Sequence, residues 1–290
     1  MSDAPDILVA GATGTTGRHT TTALAARGIR YRALTRRPDR ITDPAAVAVR
    51  ADLDDDDALR AALDGVRAAY LVTPSSEHAE AQQLRFIDLA AAAGVGHLVL
   101  LSQFAARPDS PVRFLRYHAV VEAHLAASGI DATVLRPNLF MQGILAFADL
   151  IRTQGMFAAP IGAAAVSLID ARDIGEVAAA ALTADRPLGV LTLTGPSAIT
   201  HAQIADALGR RTGQDVRFVD TDPQQFTAML SGVLPGWQVD GLVEDYAHYA
   251  SGEASAVTST VPDILGRPAR DIEAFAGDYA SSFTAKGSSR

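Results

Sequence analysis

Seven residues near the start of the chain, Gly11-Ala12-Thr13-Gly14-Thr15-Thr16-Gly17, have the composition and spacing to hold a phosphate. A glycine turn between a strand and a helix leaves unpaired backbone N–H groups at the positive end of the helix dipole, where anions bind. Gly11 permits the tight turn, Gly14 lets a pyrophosphate reach the backbone, and Gly17 lets helix and strand pack closely. Thr13, Thr15 and Thr16 complete this predicted cofactor-binding turn. The spacing is GxxGxxG, offset from the simpler GxGxxG. An ordinary strand–helix turn is the competing reading, and the position after the first apolar run favours the dinucleotide one.

Other polar residues fall where later strands end. Folds selective for NAD place an acid after the second strand, on the ribose 2′-hydroxyl. Here the chain reads Leu34-Thr35-Arg36-Arg37-Pro38, with no acid. Arg36 and Arg37 suit a 2′-phosphate through forked hydrogen bonds, so NADP(H) is expected over NAD(H). Asp52-Leu53 follows the third strand. Asp52 either accepts from an adenine amino group, with Leu53 on the ring, or caps the next helix. Thr73-Pro74 and Ser102-Gln103 end the fourth and fifth strands, where they are expected to line the nicotinamide half of a crevice.

These residues need a particular scaffold. Strands are predicted at 6–10, 30–34, 46–50, 68–72, 97–101 and 132–135, alternating with helices to about Arg27 and over 55–63, 77–93 and 112–128. Such alternation argues for a parallel sheet covered on both faces. The acidic run Asp54 to Asp57 reads as capping rather than as a metal site. After Phe140 the pattern loosens. A helix and loop are predicted over 143–161, strands at 166–170 and 190–193, a helix over 173–182, and Thr200 as the N-cap of a helix to Arg211. Mainly helices are expected from Asp220 onward, and a frayed tail from Lys286 to Arg290.

Composition narrows the chemistry. The chain has 290 residues, 48% hydrophobic and 20% charged, enough for a full core. It has no cysteine, so disulfides, thiolate metal sites and cysteine nucleophiles are excluded. No metal site is expected. A net charge of −8 argues against wrapping nucleic acid. Lys286 is the only lysine, so a core ammonium is not available to any mechanism. The acidic start does not resemble a signal peptide, and no apolar run is long enough to span a bilayer. The expectation is a cytoplasmic monomer or homodimer without a membrane or nucleic-acid partner.

The chain resembles the NmrA-like members of the atypical short-chain dehydrogenase/reductase family. The resemblance rests on GATGTTG at 11–17, LTRRP at 34–38, ADL at 51–53, LVTPSS at 71–76 and LLSQFAA at 100–106. It continues through HAVVEAHLAASGIDATVLRPNLFMQG at 118–143 and SLIDARDIGEVAAAAL at 167–182, and so covers nearly the whole chain. It implies an α/β fold, a Rossmann-type doubly wound parallel sheet with a smaller, mainly helical C-terminal substrate lobe. The cofactor domain is expected over 1–142, with 166–183 packing back on it, and the lobe over 143–285.

The resemblance also implies a site. Short-chain dehydrogenases typically use serine, tyrosine and lysine, and this sequence departs from that pattern. If Tyr117 is the tyrosine, the lysine position is Val121. If the family's His-x-x-x-Glu spacing sets the frame, His118 takes the lysine position and Phe114 the tyrosine position. The second register is preferred, with His118 holding the ribose or moving a proton, Tyr117 beside it and Ser102 orienting the acceptor; the plainer alternative pairs His118 with Glu122 along the helix. Pro137 and Asn138 fall beside the nicotinamide, Asn138 either bonding the carboxamide or capping the next segment. Phe140, Met141, Phe147, Met156 and Phe157 are expected to form an apolar wall. The family includes NAD(P)H-dependent reductases of quinones, carbonyls and imines and also non-catalytic redox sensors. A reductase is the leading expectation, followed by a sensor, or a non-redox biosynthetic enzyme that retains the fold.

Overall fold

The computed structural model describes residues 4–284, so the tail from Lys286 lies outside the described residues. Strand β1 (Ile7–Ala10) leads through the glycine turn into helix α1 (Thr15–Ala26). Then come β2 (Tyr31–Thr35), β3 (Ala46–Arg50), α2 (Asp56–Leu63), β4 (Ala68–Leu71) and α3 (Ala79–Ala92). Strand β5 (His97–Leu101), α4 (Arg113–Ala127) and β6 (Asp131–Pro137) complete this half. A 3-10 segment (Met141–Phe147) opens the second half, with α5 (Ala148–Gln154), β7 (Met156–Ala159), β8 (Ala165–Val166), α6 (Ala171–Leu182) and β9 (Gly189–Leu193) after it. Strand β10 (Ile199–Thr200), α7 (His201–Thr212) and β11 (Arg217–Asp220) follow. The last helices are α8 (Pro223–Leu230), α9 (Gly236–Ala250), α10 (Thr260–Leu265), α11 (Ile272–Asp278) and α12 (Ala280–Phe283).

Seven strands form one parallel sheet in the order β3-β2-β1-β4-β5-β6-β9. The chain winds outward from β1 to β3, then returns to β4 and winds the other way. That reversal opens a crevice beyond the carboxyl ends of β1 and β4. Strand residues alternate between two cores. Leu8, Leu34, Leu71 and Leu98 pack against Leu59, Phe86 and Leu115 of α2, α3 and α4. Ile7, Val9, Tyr70 and Val99 pack against Leu24, Ile174 and Val261 of α1, α6 and α10. Helices α1 and α6 approach closely because Gly175 carries no side chain. A Cβ there would lie 2.5 Å from the His19 Cβ and 2.7 Å from the Thr20 nitrogen.

The structure differs from the expected elements in three places. The stretch 143–285 is not all lobe: β9 pairs with β6 as the seventh strand, and α10 joins the sheet's core. The strand expected over 166–170 shrinks to Ala165–Val166 plus a bridge between Phe140 and Ile169, because Asp170 leaves the strand to cap α6. Three short strands lie outside the expected elements: β10, two residues antiparallel to β8, and β7 and β11, which pair with each other in parallel. None has more than four residues, too few to show a period. The capping expectations fare better. Asp55 accepts from the Ala58 N–H at 3.0 Å, and Thr200 forms a capping box with Gln203.

The SLIDARDIGE stretch is a structural clamp. Asp173 is fully buried and accepts from the Arg270 N–H and from Arg267 Nη2, both at 2.7 Å, and from Arg270 Nη1. Glu176 takes the same two guanidiniums at 2.6 and 2.8 Å. One turn of α6 thus fixes the segment leading into α11. Asp173→Ala is expected to destabilise the fold by about 2–4 kcal/mol, the cost of leaving clustered guanidiniums short of a buried partner, discounted for their partial exposure. Urea unfolding measures this, and a loss below about 1 kcal/mol would show the clamp to be dispensable.

Candidate active site

A cleft of about 880 Å³ runs from the sheet's reversal point, past the ends of β2, β4, β5 and β6, to the inner face of α9. Its size suits an organic ligand. Of the predicted site residues, Gly11, Thr13, Gly14, Thr15, Thr16, Arg36, Arg37, Asp52, Leu53, Thr73, Pro74, Ser102, Gln103, Tyr117, His118, Pro137 and Asn138 all border it. Gly17 lies behind them. A Cβ at Gly17 would stand 2.1 Å from the Gly11 carbonyl oxygen, so this glycine serves the shape of the turn. Gly11 itself has φ +67°, and a Cβ there would meet the Val72 carbonyl oxygen at 2.9 Å. The Gly14 N–H closes the turn on the Gly11 carbonyl at 2.8 Å. The α1 ladder begins with Arg18 N–H to the Gly14 carbonyl, and neither a capping side chain nor an acid occupies the first turn. The N–H groups of Thr15 and Thr16 therefore stand ahead of the ladder, at a helix start suited to an anion. The Thr16 hydroxyl instead accepts from Tyr70 at 3.0 Å.

The arginines at the end of β2 are exposed, and neither guanidinium has an acidic partner among the described residues. Asp52 does not cap α2; that role falls to Asp55, and among the described residues the Asp52 carboxylate accepts from the nearby Asp54 N–H. At the end of β4, the Thr73 hydroxyl accepts from Gln83 Nε2 at 2.7 Å.

The other end of the cleft revises several expectations. The Ser102 hydroxyl donates to Glu122, which also receives Arg136 Nε at 2.9 Å and Arg136 Nη2. Glu122 therefore ties α4 to β5 and β6, and the alternative His118–Glu122 pair does not form. His118 is buried, its ring 4.1 Å from that of Tyr117, and its Nδ1 has no hydrogen-bond partner among the described residues. Burial pulls its pKa down to about 3. An imidazole so neutral at physiological pH carries one N–H rather than two, which makes His118 a weaker acid than the proton-donor role expected of it calls for. Burial likewise pushes the Tyr117 hydroxyl pKa upward. Asn138 acts as a brace: its Nδ2 donates to the Ser167 hydroxyl and to the Ala254 carbonyl, both at 2.8 Å, so its donors are not available to a ligand carboxamide.

The far wall is aromatic. Phe140, Phe147 and Phe157 line it as expected, whereas Met141 and Met156 do not. His201 and Phe226 join them from α7 and α8. Helix α9 roofs the cleft with Gln238, Leu242, Asp245, Tyr246 and Tyr249, which recur at helical spacing on one face. That stripe is legible in the sequence, but only once the helix is known to face a cavity. The roof is seated by Gly241, where a Cβ would meet the Phe114 ring at 2.2 Å, and by the Arg113 Nη2–Glu244 bridge at 2.7 Å. Asp245 is buried, accepts from Gln103 Nε2 at 3.0 Å on both oxygens, and has its pKa raised by burial to about 7.

An anion cradle at the reversal point of a doubly wound sheet, continuous with an aromatic pocket, defines a dinucleotide-binding protein of the Rossmann type. More narrowly, the chain belongs to the NmrA-like family, whose model matches residues 4–255. It is 35% identical over 284 residues to the NAD(P)H azoreductase of Xenophilus azovorans, covering 96% of this chain and 99% of that protein. It is also 35% identical over 281 residues to the (4-alkanoyl-5-oxo-2,5-dihydrofuran-3-yl)methyl phosphate reductase of Streptomyces griseus, with the same coverage of both. The crystal structure of an NADPH-dependent quinone oxidoreductase of Escherichia coli complexed with NADPH superposes with a TM-score of 0.84 at 27% identity, over 94% of this chain and 99% of that one.

The buried imidazole leaves a signature in stability. Its folded pKa lies below the ordinary imidazole value of 6.5, so its contribution is full above that value and is lost as pH falls. Between pH 7 and pH 5 this costs about 2 kcal/mol. Asp245 runs the other way, since a raised carboxyl pKa adds stability as pH falls. The test is therefore a difference. His118→Gln should lose less stability than the parent between pH 7 and pH 5, by about 2 kcal/mol in urea unfolding. Parallel pH profiles would mean that His118 is not desolvated.

Proposed function

We propose that this protein is an NADP(H)-dependent oxidoreductase that transfers hydride to a small apolar quinone, carbonyl or imine. The observation that carries this reading is one continuous cleft with an uncapped helix start and two unpaired arginines at one end and an aromatic pocket at the other. The full-length relatives named as reductases support catalysis ahead of a sensing role.

The residues present fit the cofactor. Gly14 leaves the turn open where a side chain would stand, and the Thr15 and Thr16 N–H groups hold the pyrophosphate. Arg36 and Arg37 hold the 2′-phosphate, and Asp52 and Leu53 border the adenine. Gln103, Tyr117, His118 and Pro137 border the nicotinamide. When bound, the cofactor supplies the hydride. The chain's own work is to orient the two reactants and exclude water. Phe147, Phe157 and Phe226 surround the acceptor, while the Ser102–Glu122–Arg136 clamp holds the ends of β5 and β6 rigid beneath it. Tyr117, desolvated and with no lysine beside it, keeps its proton and packs.

Arg36→Ala should weaken NADPH binding by about 1.5–3 kcal/mol, the scale of a charge-assisted hydrogen bond, and NADH binding much less. Calorimetric titration decides this; equal losses for the two cofactors would refute the phosphate role. Gly14→Val should abolish binding of both cofactors while circular dichroism stays native, since a branched side chain fills the pyrophosphate's place. Normal NADPH affinity in that variant would remove the turn from the site.

A further inference from the structure

The geometry points to Asp245 as the proton donor to the hydride acceptor, with Gln103 as its positioning residue. The inference rests on the reductase reading above and adds the group that completes the reaction. Reducing a quinone to its hydroquinone adds one hydride and one proton. The hydride comes from NADPH. The proton leaves the Asp245 carboxyl as its O–H bond breaks and a new O–H bond forms on the acceptor oxygen. The resulting carboxylate is then reprotonated from solvent.

Three observations carry this. First, the residues that short-chain dehydrogenases would use are unsuited here: Tyr117 is desolvated, His118 is neutral, Ser102 gives its proton to Glu122, and the body of the chain holds no lysine. Second, Asp245 borders the same cleft, yet no cation among the described residues pairs with it, which is unusual for a carboxylate only 4% exposed. Third, it is held in place. Gln103 follows β5 in the middle of the sheet, and its Nε2 spans both carboxyl oxygens at 3.0 Å.

The electrostatics agree with the geometry. Tyr249 and Tyr246 flank Asp245 on α9, and Tyr117 faces it from α4. Glu244 adds a repulsive charge, itself paired with Arg113. Burial is the largest influence, and the carboxyl titrates at about 7 while Gln103 pulls it back down. An acid with a pKa near the working pH is both populated and able to donate.

The test compares the parent with Asp245→Asn, Asp245→Glu and Gln103→Met. With NADPH and a naphthoquinone, the parent's kcat/KM should be flat in acid and fall about tenfold per pH unit above about pH 7. Asp245→Asn should lose about a hundredfold at pH 6 and lose this fall, with NADPH affinity unchanged by calorimetry. Asp245→Glu should restore part of the rate together with the fall. Gln103→Met removes a donor that favours the carboxylate, so its profile should shift to higher pH, a movement that a merely structural role would not produce. Carbon-13 carboxyl spectra of the parent should show an aspartate titrating near pH 7 that is absent from Asp245→Asn, whether or not an acceptor is turned over. An Asp245→Asn profile matching the parent's, or no such aspartate resonance, overturns the assignment. A parent that does not bind NADPH overturns the reductase reading instead.

Discussion

Position 17 admits no side chain, and much of the cleft's geometry follows from that. The first turn of α1 rests against the Gly11 carbonyl so closely that a single methyl group would overlap it. The contact draws the helix start onto the end of β1 and aims its unpaired N–H groups along the sheet's carboxyl edge. Gly11 makes the matching approach on the other side, where Val72 leaves β4. The two strands on either side of the reversal point are thus joined by backbone packed against backbone. Nothing flexible lies between the cradle and the sheet that carries the rest of the site.

Charge is distributed with similar economy. Among the described residues every side-chain cation apart from histidine is arginine, and the half-buried ones are engaged. Arg136 is held by Glu122, Arg113 by Glu244, Arg172 by Asp170, and Arg267 and Arg270 by Asp173 and Glu176. These pairs bind α4 to the sheet, α4 to α9, and α6 to the C-terminal segment. The aromatic end of the cleft is left with aromatic rings, two neutral imidazoles and one carboxyl that has no cation among the described residues. A desolvated negative charge placed there would find no cation among the described residues to compensate it.

Much of this was legible in the sequence because it depends on local patterns. The parallel sheet follows from alternating strand and helix periods, and the cradle from three glycines placed after a strand. Arg36 and Arg37 stood out by replacing an acid. The lobe was harder to read. Strands β7 and β11 are short and pair with each other rather than with the main sheet, and β9 returns to that sheet from a stretch assigned to the lobe. Single-residue roles were misread where tertiary partners decide them. The His118–Glu122 spacing looks like a helix-surface pair, but α4 turns Glu122 toward Arg136 and Ser102. Asn138 takes neither of the two roles its position suggests, because its donors go to Ser167 and Ala254, far away in sequence. Asp245 gave no signal, because a lone aspartate on an amphipathic helix looks like a solvated residue until the cleft beneath it is known.

The seating of α9 has an optical consequence. The chain's single tryptophan, Trp237, stands in the first turn of that helix, 5.3 Å from the Phe114 ring and 6.3 Å from the Tyr117 ring, with the Arg113 guanidinium over its face. The indole therefore sits at the seam between roof and floor, beside the cleft but outside the acceptor wall. Its emission has one source and one location, so its colour and lifetime report the environment at the place where α9 meets α4.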